Sequence, residues 1–209
     1  MKFIDLSHAI EDNMIAFCKN EIPYVYKLST IEEQGYEVKK LILTTHTSTH
    51  VDAPTHILKQ GITIDEISLE NFYGIALTID CTKASNCIPI DILNNYDLTD
   101  IDFLLLYTGH DKFWNKPSFL KNYKYPSYKL CKYLCETNIK GIGVDAISID
   151  NEYDARLPNH HILLKKNKLI IENLNNLSSV VNKKIKLSIF PLKISLGDAS
   201  PVRAVGKIF

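Results

Sequence analysis

The chain has 209 residues, with 24 basic and 24 acidic side chains and a formal net charge of zero. That balance excludes the basic field that nucleic acid or an anionic membrane surface would need, and no apolar run approaches the length of a bilayer span. With 45% hydrophobic residues, one domain covering 1–209 can bury a substantial core, and "MKFIDLSHAI" lacks the apolar stretch of a secretion signal, so the expected compartment is the cytoplasm.

In chain order, "KFIDLSHAI" reads as a strand entering a loop. "YEVKKLILTTHT" alternates and is rich in β-branched residues, which predicts a strand leading into a histidine-rich segment. A second strand is expected over 74–80, a short helix at "IPIDIL" and a buried strand in "IDFLLLYTGH". "YPSYKLCKYLCETN" has helical spacing with Ser127 as its cap. "IKGIGVDAISID" is again a buried strand with glycine breakers. "HHILLKKNKLIIENL" predicts a short helix, a turn at 166–168 and a strand, and "KIKLSIFPLKI" a late strand. Strands outnumber helices, which predicts an α/β or α+β domain around a sheet. Five cysteines, odd in number and irregularly spaced, make no disulfide framework. Cys131 and Cys135 read as thiols of one helix, with no second Cys/His pair of zinc-finger type to join them.

The chemistry concentrates in "THTSTHVDAPTH", residues 45–56, which holds three of the seven histidines. His46, His50, Asp52 and His56 all occupy even positions, and extended backbone aims such residues to one side. A straight strand would nevertheless separate His46 from Asp52 by roughly 20 Å, whereas metal ligands lie about 2 Å from their ion. The segment must therefore bend, with Ser48 midway and Pro54 stiffening the exit. Imidazole and carboxylate together suit a divalent transition ion. Two histidines and one carboxylate leave coordination open for water, as catalytic sites require. The plainer alternative is a threonine-rich edge strand with incidental histidines. A second patch, "PNHHILLKKNKLIIENL", brings adjacent His160 and His161 and then Glu172 on an apolar strand. A buried unpaired carboxylate is costly, and a metal would remove that cost; the alternative is Glu172 turned to solvent at the strand end.

"HTSTHVDAPTH" resembles the H-x-G-T-H-x-D-x-P-x-H pattern of the cyclase-like metal-dependent hydrolases, a family that includes bacterial kynurenine formamidases and isatin hydrolases. The one departure is Ser48 in place of glycine. The resemblance continues through "LLLYTGHDKFW", "GIGVDAISID", "HHILLKKNKLIIENL" and "PLKISLGDASPVRAV", so it spans nearly the whole chain from Ile4. It implies an α/β fold, a compact swivelling β/β/α domain around a mixed sheet, assembled as a homodimer or larger homo-oligomer. It also implies two divalent ions, zinc or manganese. His46, His50 and Asp52 would hold the first. Asp52 would bridge to the second, completed by His160 and Glu172. His56 would be the catalytic acid/base rather than a ligand.

The implied activity is metal-dependent amide hydrolysis, with N-formylkynurenine cleaved to kynurenine and formate. The alternatives are another amide or a lactam such as an isatin-like ring, or a metal-binding protein that does no chemistry. Substrate choice is expected from loops at 14–26 and 112–125. Serine at 48 would have to accept a backbone that glycine adopts freely, and its hydroxyl could support the ligands from behind. His161 could do the same or simply pack. Arg203 could pair a carboxylate at the active site or only make a contact across subunits, with the structural role expected, and Asp145 is expected to cap or turn the chain after its strand. His110 and Trp114 sit in a loop that could touch substrate or merely pack, and His8 is assigned no chemistry.

Overall fold

The computed structural model describes residues 2–209. In chain order it contains β1 (Lys2–Asp5), β2 (Tyr24–Ser29), α1 (Ile31–Gln34), β3 (Val38–Ile42), β4 (His50–Asp52), β5 (Tyr73–Asp80), β6 (Cys87–Ile88), β7 (Phe103–Tyr107) and β8 (Tyr125–Pro126). There follow α2 (Tyr128–Cys135), β9 (Gly141–Val144), α3 (Pro158–Leu164), β10 (Leu169–Glu172), β11 (Lys184–Ser188), β12 (Ala199–Pro201) and β13 (Val205–Ile208). Nine strands form one mixed sheet in the order β1-β13-β11-β5-β7-β9-β10-β4-β12. Its centre, β5-β7-β9-β10, is parallel, and both flanks are antiparallel.

The parallel strands are buried on both faces, which is why they read as unbroken apolar runs. Leu104, Leu106, Ile142, Val144 and Ile170 pack on one face against Leu130 and Leu134 of α2 and Leu163 and Leu164 of α3. The opposite face joins Val51, Phe103, Leu105 and Ile171 to Ile4, Ile185 and Leu187 from the other end of the strand order. Strands so far apart in the order share one core only because the sheet curls back on itself. Gly143 sits inside that curl, where a Cβ would fall 2.7 Å from both Leu105 and Leu174 side chains. Ser127 caps α2 as expected, its hydroxyl accepting the Leu130 N–H.

Two expectations change. The strand in "YEVKKLILTTHT" is present as β3, but it pairs only with β2, in a separate two-stranded ribbon whose residues are mostly exposed. Alternation predicted the strand and could not predict its partner. The segment "IPIDIL" forms a single 3-10 turn over Ile90–Leu93 rather than an α-helix. The last strands, β12 and β13, are too short to be conspicuous in sequence, yet β12 forms one edge of the sheet and β13 pairs between β1 and β11.

Candidate metal centre

The centre is built on β4, which lies between β10 and β12. Register places Glu172 directly opposite His50, and Ile170 opposite Asp52. Opposed residues of neighbouring strands point to the same face, so His50, Asp52 and Glu172 share one side while Val51 and Ile171 enter the core on the other. His46 reaches the group from the turn before β4, and His160 from the first turn of α3. His56 lies on the 3-10 turn Pro54–His56 that follows.

The bend required of residues 45–50 is present, and it centres on Ser48, whose φ is +61°. This is the left-handed conformation that glycine adopts without strain and serine does not. The serine hydroxyl donates to the His8 carbonyl at 3.1 Å. Its own carbonyl receives His50 Nδ1 at 2.9 Å and Asn173 Nδ2 at 2.8 Å. Ser48 therefore supports the cluster mainly through its backbone, by fixing the orientation of the His50 ring. His161, by contrast, is exposed on α3, neither behind the ligands nor packed in the core.

Asp52 is the hub. Its Oδ1 lies 3.1 Å from His46 Nδ1 and 3.3 Å from His50 Nε2, and its Oδ2 lies 3.7 Å from His160 Nε2. Glu172 lies 3.5 Å from His50 Nε2 and 3.3 Å from His160 Nε2. Ligand atoms about 2.0–2.2 Å from a shared ion at tetrahedral angles stand roughly 3.3–3.6 Å apart, and the separations here, 3.1 to 3.7 Å, straddle that range. His50 Nε2 and both Asp52 oxygens are buried, yet among the described residues they have no hydrogen-bond partner. Near but unaligned donors and acceptors are what groups aimed at a common cation look like. Two sets of side chains close enough to hold an ion, His46–Asp52–His56 and His50–Asp52–Glu172, share Asp52, and the first includes His56, which the resemblance places outside the ligands. The residues present thus fit divalent ions.

The electrostatics agree. Burial alone would lower the His50 pKa, but Asp52 and Glu172 outweigh it and raise the ring to about 10. For His160, burial is likewise overcome by Asp150 and Glu172, again to about 10. For His46 it is overcome by Asp52 and Asp198, to about 9. Burial would raise the Asp52 carboxyl, but His50 and His46 hold it well below the usual carboxylate range. The same negative field that retains protons on these imidazoles would attract a metal ion in their place.

Sequence reasoning missed two carboxylates. Asp150, 1% exposed, receives His160 Nδ1 at 2.7 Å and the His160 backbone N–H at 3.1 Å. It orients the imidazole that faces Asp52 and Glu172. Asp198, just before β12, lies 3.0 Å from His46 Nε2 and 3.5 Å from His56 Nδ1. Hydrogen bonding to His46, then to His56, holds its carboxyl far below its ordinary range. Both acids sit in stretches, "AISID" and "SLGDASP", where aspartate also serves turns, so nothing local distinguishes them.

A cavity of about 230 Å³ opens beside the centre. Met14, Ile15, Phe17, Pro23, Ile147 and Leu157 supply its apolar wall, with His46, His50, His56, His160 and Glu172 at its polar end. The first expected loop, 14–26, lines this space; the second, 112–125, contributes nothing to it. Trp114 instead stacks on His8 at 3.9 Å between ring centroids, and His110 bonds the Phe119 carbonyl at 2.9 Å. Both are packing residues. Asp145 accepts from Thr108 and from the Gly109 N–H, tying β9 to the loop after β7. Arg203 pairs with Asp5 at 2.7 Å on the surface, and Cys131 and Cys135 are free thiols of α2.

Residues 4–151 match the family model "Cyclase: Putative cyclase". The kynurenine formamidase of Bacillus cereus (strain ZK / E33L) is 33% identical over 207 residues, covering 98% of this chain and 96% of the relative. The structure of a "predicted metal-dependent hydrolase from Bacillus stearothermophilus" superposes with a TM-score of 0.83 at 26% identity, covering 98% and 97% of the two chains. An isatin hydrolase bound to the product analogue thioisatinate superposes with a TM-score of 0.89 at 22% identity, over 98% of this chain and 91% of that one, a likeness of fold. With one third of its residues identical to a kynurenine formamidase along nearly its whole length, the chain belongs to the cyclase family of metal-dependent hydrolases.

Proposed function

We propose that the protein is a metal-dependent amidohydrolase whose substrate is N-formylkynurenine, released as kynurenine and formate. The observation that carries this reading is the joining of full-length similarity to a kynurenine formamidase with a buried carboxylate, Asp52, left without hydrogen bonds among three imidazoles. His46 and His50 both approach Asp52 Oδ1, while His160 faces Oδ2 and Glu172. In this reading His46, His50 and Asp52 would hold one ion and Asp52, His160 and Glu172 a second, with His50 Nε2 also 3.5 Å from Glu172. Zinc or manganese suits such a mixed nitrogen and oxygen set. Bound there, divalent ions would supply hydroxide from water near neutral pH and polarise the formyl oxygen.

The chain's own residues do the rest. Asp150 and the Ser48 carbonyl hold the His160 and His50 rings in place from behind. The apolar wall holds the aryl group and excludes water from that side. His56 borders the cavity, and in this reading His46, His50, Asp52, His160 and Glu172 hold the ions and leave it as the acid/base. It takes the proton from the attacking water and returns it to the nitrogen as the carbon–nitrogen bond breaks. Glu21 is the charged lining residue outside the cluster, and no lysine or arginine lines the cavity. An ammonium on the substrate tail, as kynurenine carries, finds its counter-ion there.

The working unit in this reading is one swivelling β/β/α domain over 1–209, a cytoplasmic homodimer or larger homo-oligomer acting on a small amide. No described helix is long and apolar enough to cross a membrane. The test is metal content per chain on protein purified without added metal, with turnover of N-formylkynurenine before and after chelation. Two ions per chain, with activity lost on chelation and restored by zinc or manganese, is the expected result. Metal without turnover of any formanilide would overturn the formamidase reading and favour a lactam or a binding role.

A further inference from the structure

We infer that Asp198 is the positioning residue of His56, holding its Nδ1–H so that Nε2 is the nitrogen offered to the substrate. This rests on the reading of His56 as the acid/base. The geometry is specific. Asp198 and His56 hang from one residue, Ala53: its N–H donates to the Asp198 carbonyl at 2.9 Å, and its carbonyl accepts the His56 N–H at 3.0 Å. Register fixes the carboxylate further, because Ala199, next in the chain, pairs with Asp52 across β4 and β12. The preceding Gly197 carbonyl accepts the Ile64 N–H at 2.8 Å. Asp198 thus cannot drift relative to the 3-10 turn that carries His56.

A single oxygen, Oδ2, faces both His46 Nε2 at 3.0 Å and His56 Nδ1 at 3.5 Å. The second is an ion-pair distance without aligned hydrogen-bond geometry, and catalytic contacts of this kind often tighten only when substrate binds. A carboxylate on one ring nitrogen selects the tautomer with its proton on that nitrogen. The other nitrogen then carries the lone pair that accepts a proton from water. His56 passes that proton to the departing amine nitrogen, while the water oxygen stays on the formyl carbon. No proton is gained or lost overall beyond those of one water molecule.

The rival role for Asp198 is to orient His46 alone, which would act through the metal and not through proton delivery. Leaving-group chemistry separates the two. An anilide nitrogen must be protonated to leave, whereas a p-nitrophenolate leaves without a proton. The experiment compares formanilide with p-nitrophenyl formate for Asp198→Asn, Asp198→Glu and His56→Ala, at saturating zinc with ion content measured. Asp198→Asn is expected to lower kcat on formanilide by about 10- to 100-fold, with KM and ion content nearly unchanged and a clearly smaller loss on the ester, which needs the proton taken from water but not its delivery to the leaving group, and Asp198→Glu to recover part of the loss. Equal losses on both substrates, or no loss on either, would overturn the inference if His56→Ala still slows the anilide selectively. If His56→Ala itself shows no such selectivity, the acid/base reading beneath it fails instead.

Discussion

Ser48 offers the sharpest test of how the metal segment is built. Its φ of +61° costs a residue with a side chain about 1–2 kcal/mol, a cost glycine avoids. Against this, glycine loses roughly 0.5–1 kcal/mol to its freer unfolded chain. The hydroxyl makes one buried hydrogen bond, to the His8 carbonyl, with a net value of about 0.5–1.5 kcal/mol. Ser48→Ala keeps the strained backbone and deletes the bond, so it should destabilise by about 1–2 kcal/mol, since the buried carbonyl also loses its partner. Ser48→Gly deletes the same bond but relieves the strain, leaving a net loss of about 0–1 kcal/mol. Glycine should therefore exceed alanine in stability, the reverse of their usual order. The contacts that orient His50 and Asn173 use the Ser48 carbonyl, so both variants should keep their metal and turn over within a few-fold of the parent. Urea denaturation of metal-loaded and chelated protein measures the difference, and a gap of 1 kcal/mol moves Tm by about 2–4 °C at this size. An alanine variant as stable as the glycine one would refute the claim that backbone strain at 48 is significant.

Other consequences follow from the buried charges. Asp150→Asn should weaken metal binding by about 10- to 100-fold, because the His160 ring loses the carboxylate 2.7 Å behind it; competition with a chelator of known affinity measures this. In metal-free protein His46, His50 and His160 are raised to between about 9 and 10, above an unfolded value near 6.5. Raised folded values stabilise fully below pH 6.5 and lose that contribution as pH climbs through 9 to 10. Chelated protein should accordingly lose stability over that alkaline range while metal-loaded protein does not, and a melting series from pH 6 to 10.5 checks the divergence. Metal binding at pH 7 should also release protons, seen by calorimetry in buffers of different ionisation enthalpy; an absence of release would contradict the protonated ground state. Glu21→Gln should raise KM for N-formylkynurenine several-fold and leave formanilide unaffected, since only the former carries an ammonium.

Much of this site could be read in the residues themselves. The spacing of His46, His50, Asp52 and His56 signals metal chemistry because rare protonatable side chains at even positions converge when extended backbone bends. Glu172 is legible because a carboxylate inside "LIIENL" is otherwise an uncompensated buried charge. Serine in place of glycine even marks where the bend falls. The carboxylates behind the rings, Asp150 and Asp198, were not legible. Each sits far from its histidine in sequence or in an ordinary turn motif, and its significance is a distance of 2.7 or 3.0 Å that only register and loop placement create.

The residues alone pick out which groups are candidates to hold a cation, because donor chemistry is local, and they mark which strands are buried, because burial on both faces removes alternation. Tertiary structure decided the rest. It brought Glu172 opposite His50 by strand register, set β3 apart in its own ribbon, and chose residues 14–23 rather than 112–125 as a cavity wall. The physical reason is that pairing partners and loop packing depend on contacts between segments tens to hundreds of residues apart, and no pattern within one segment encodes its partner.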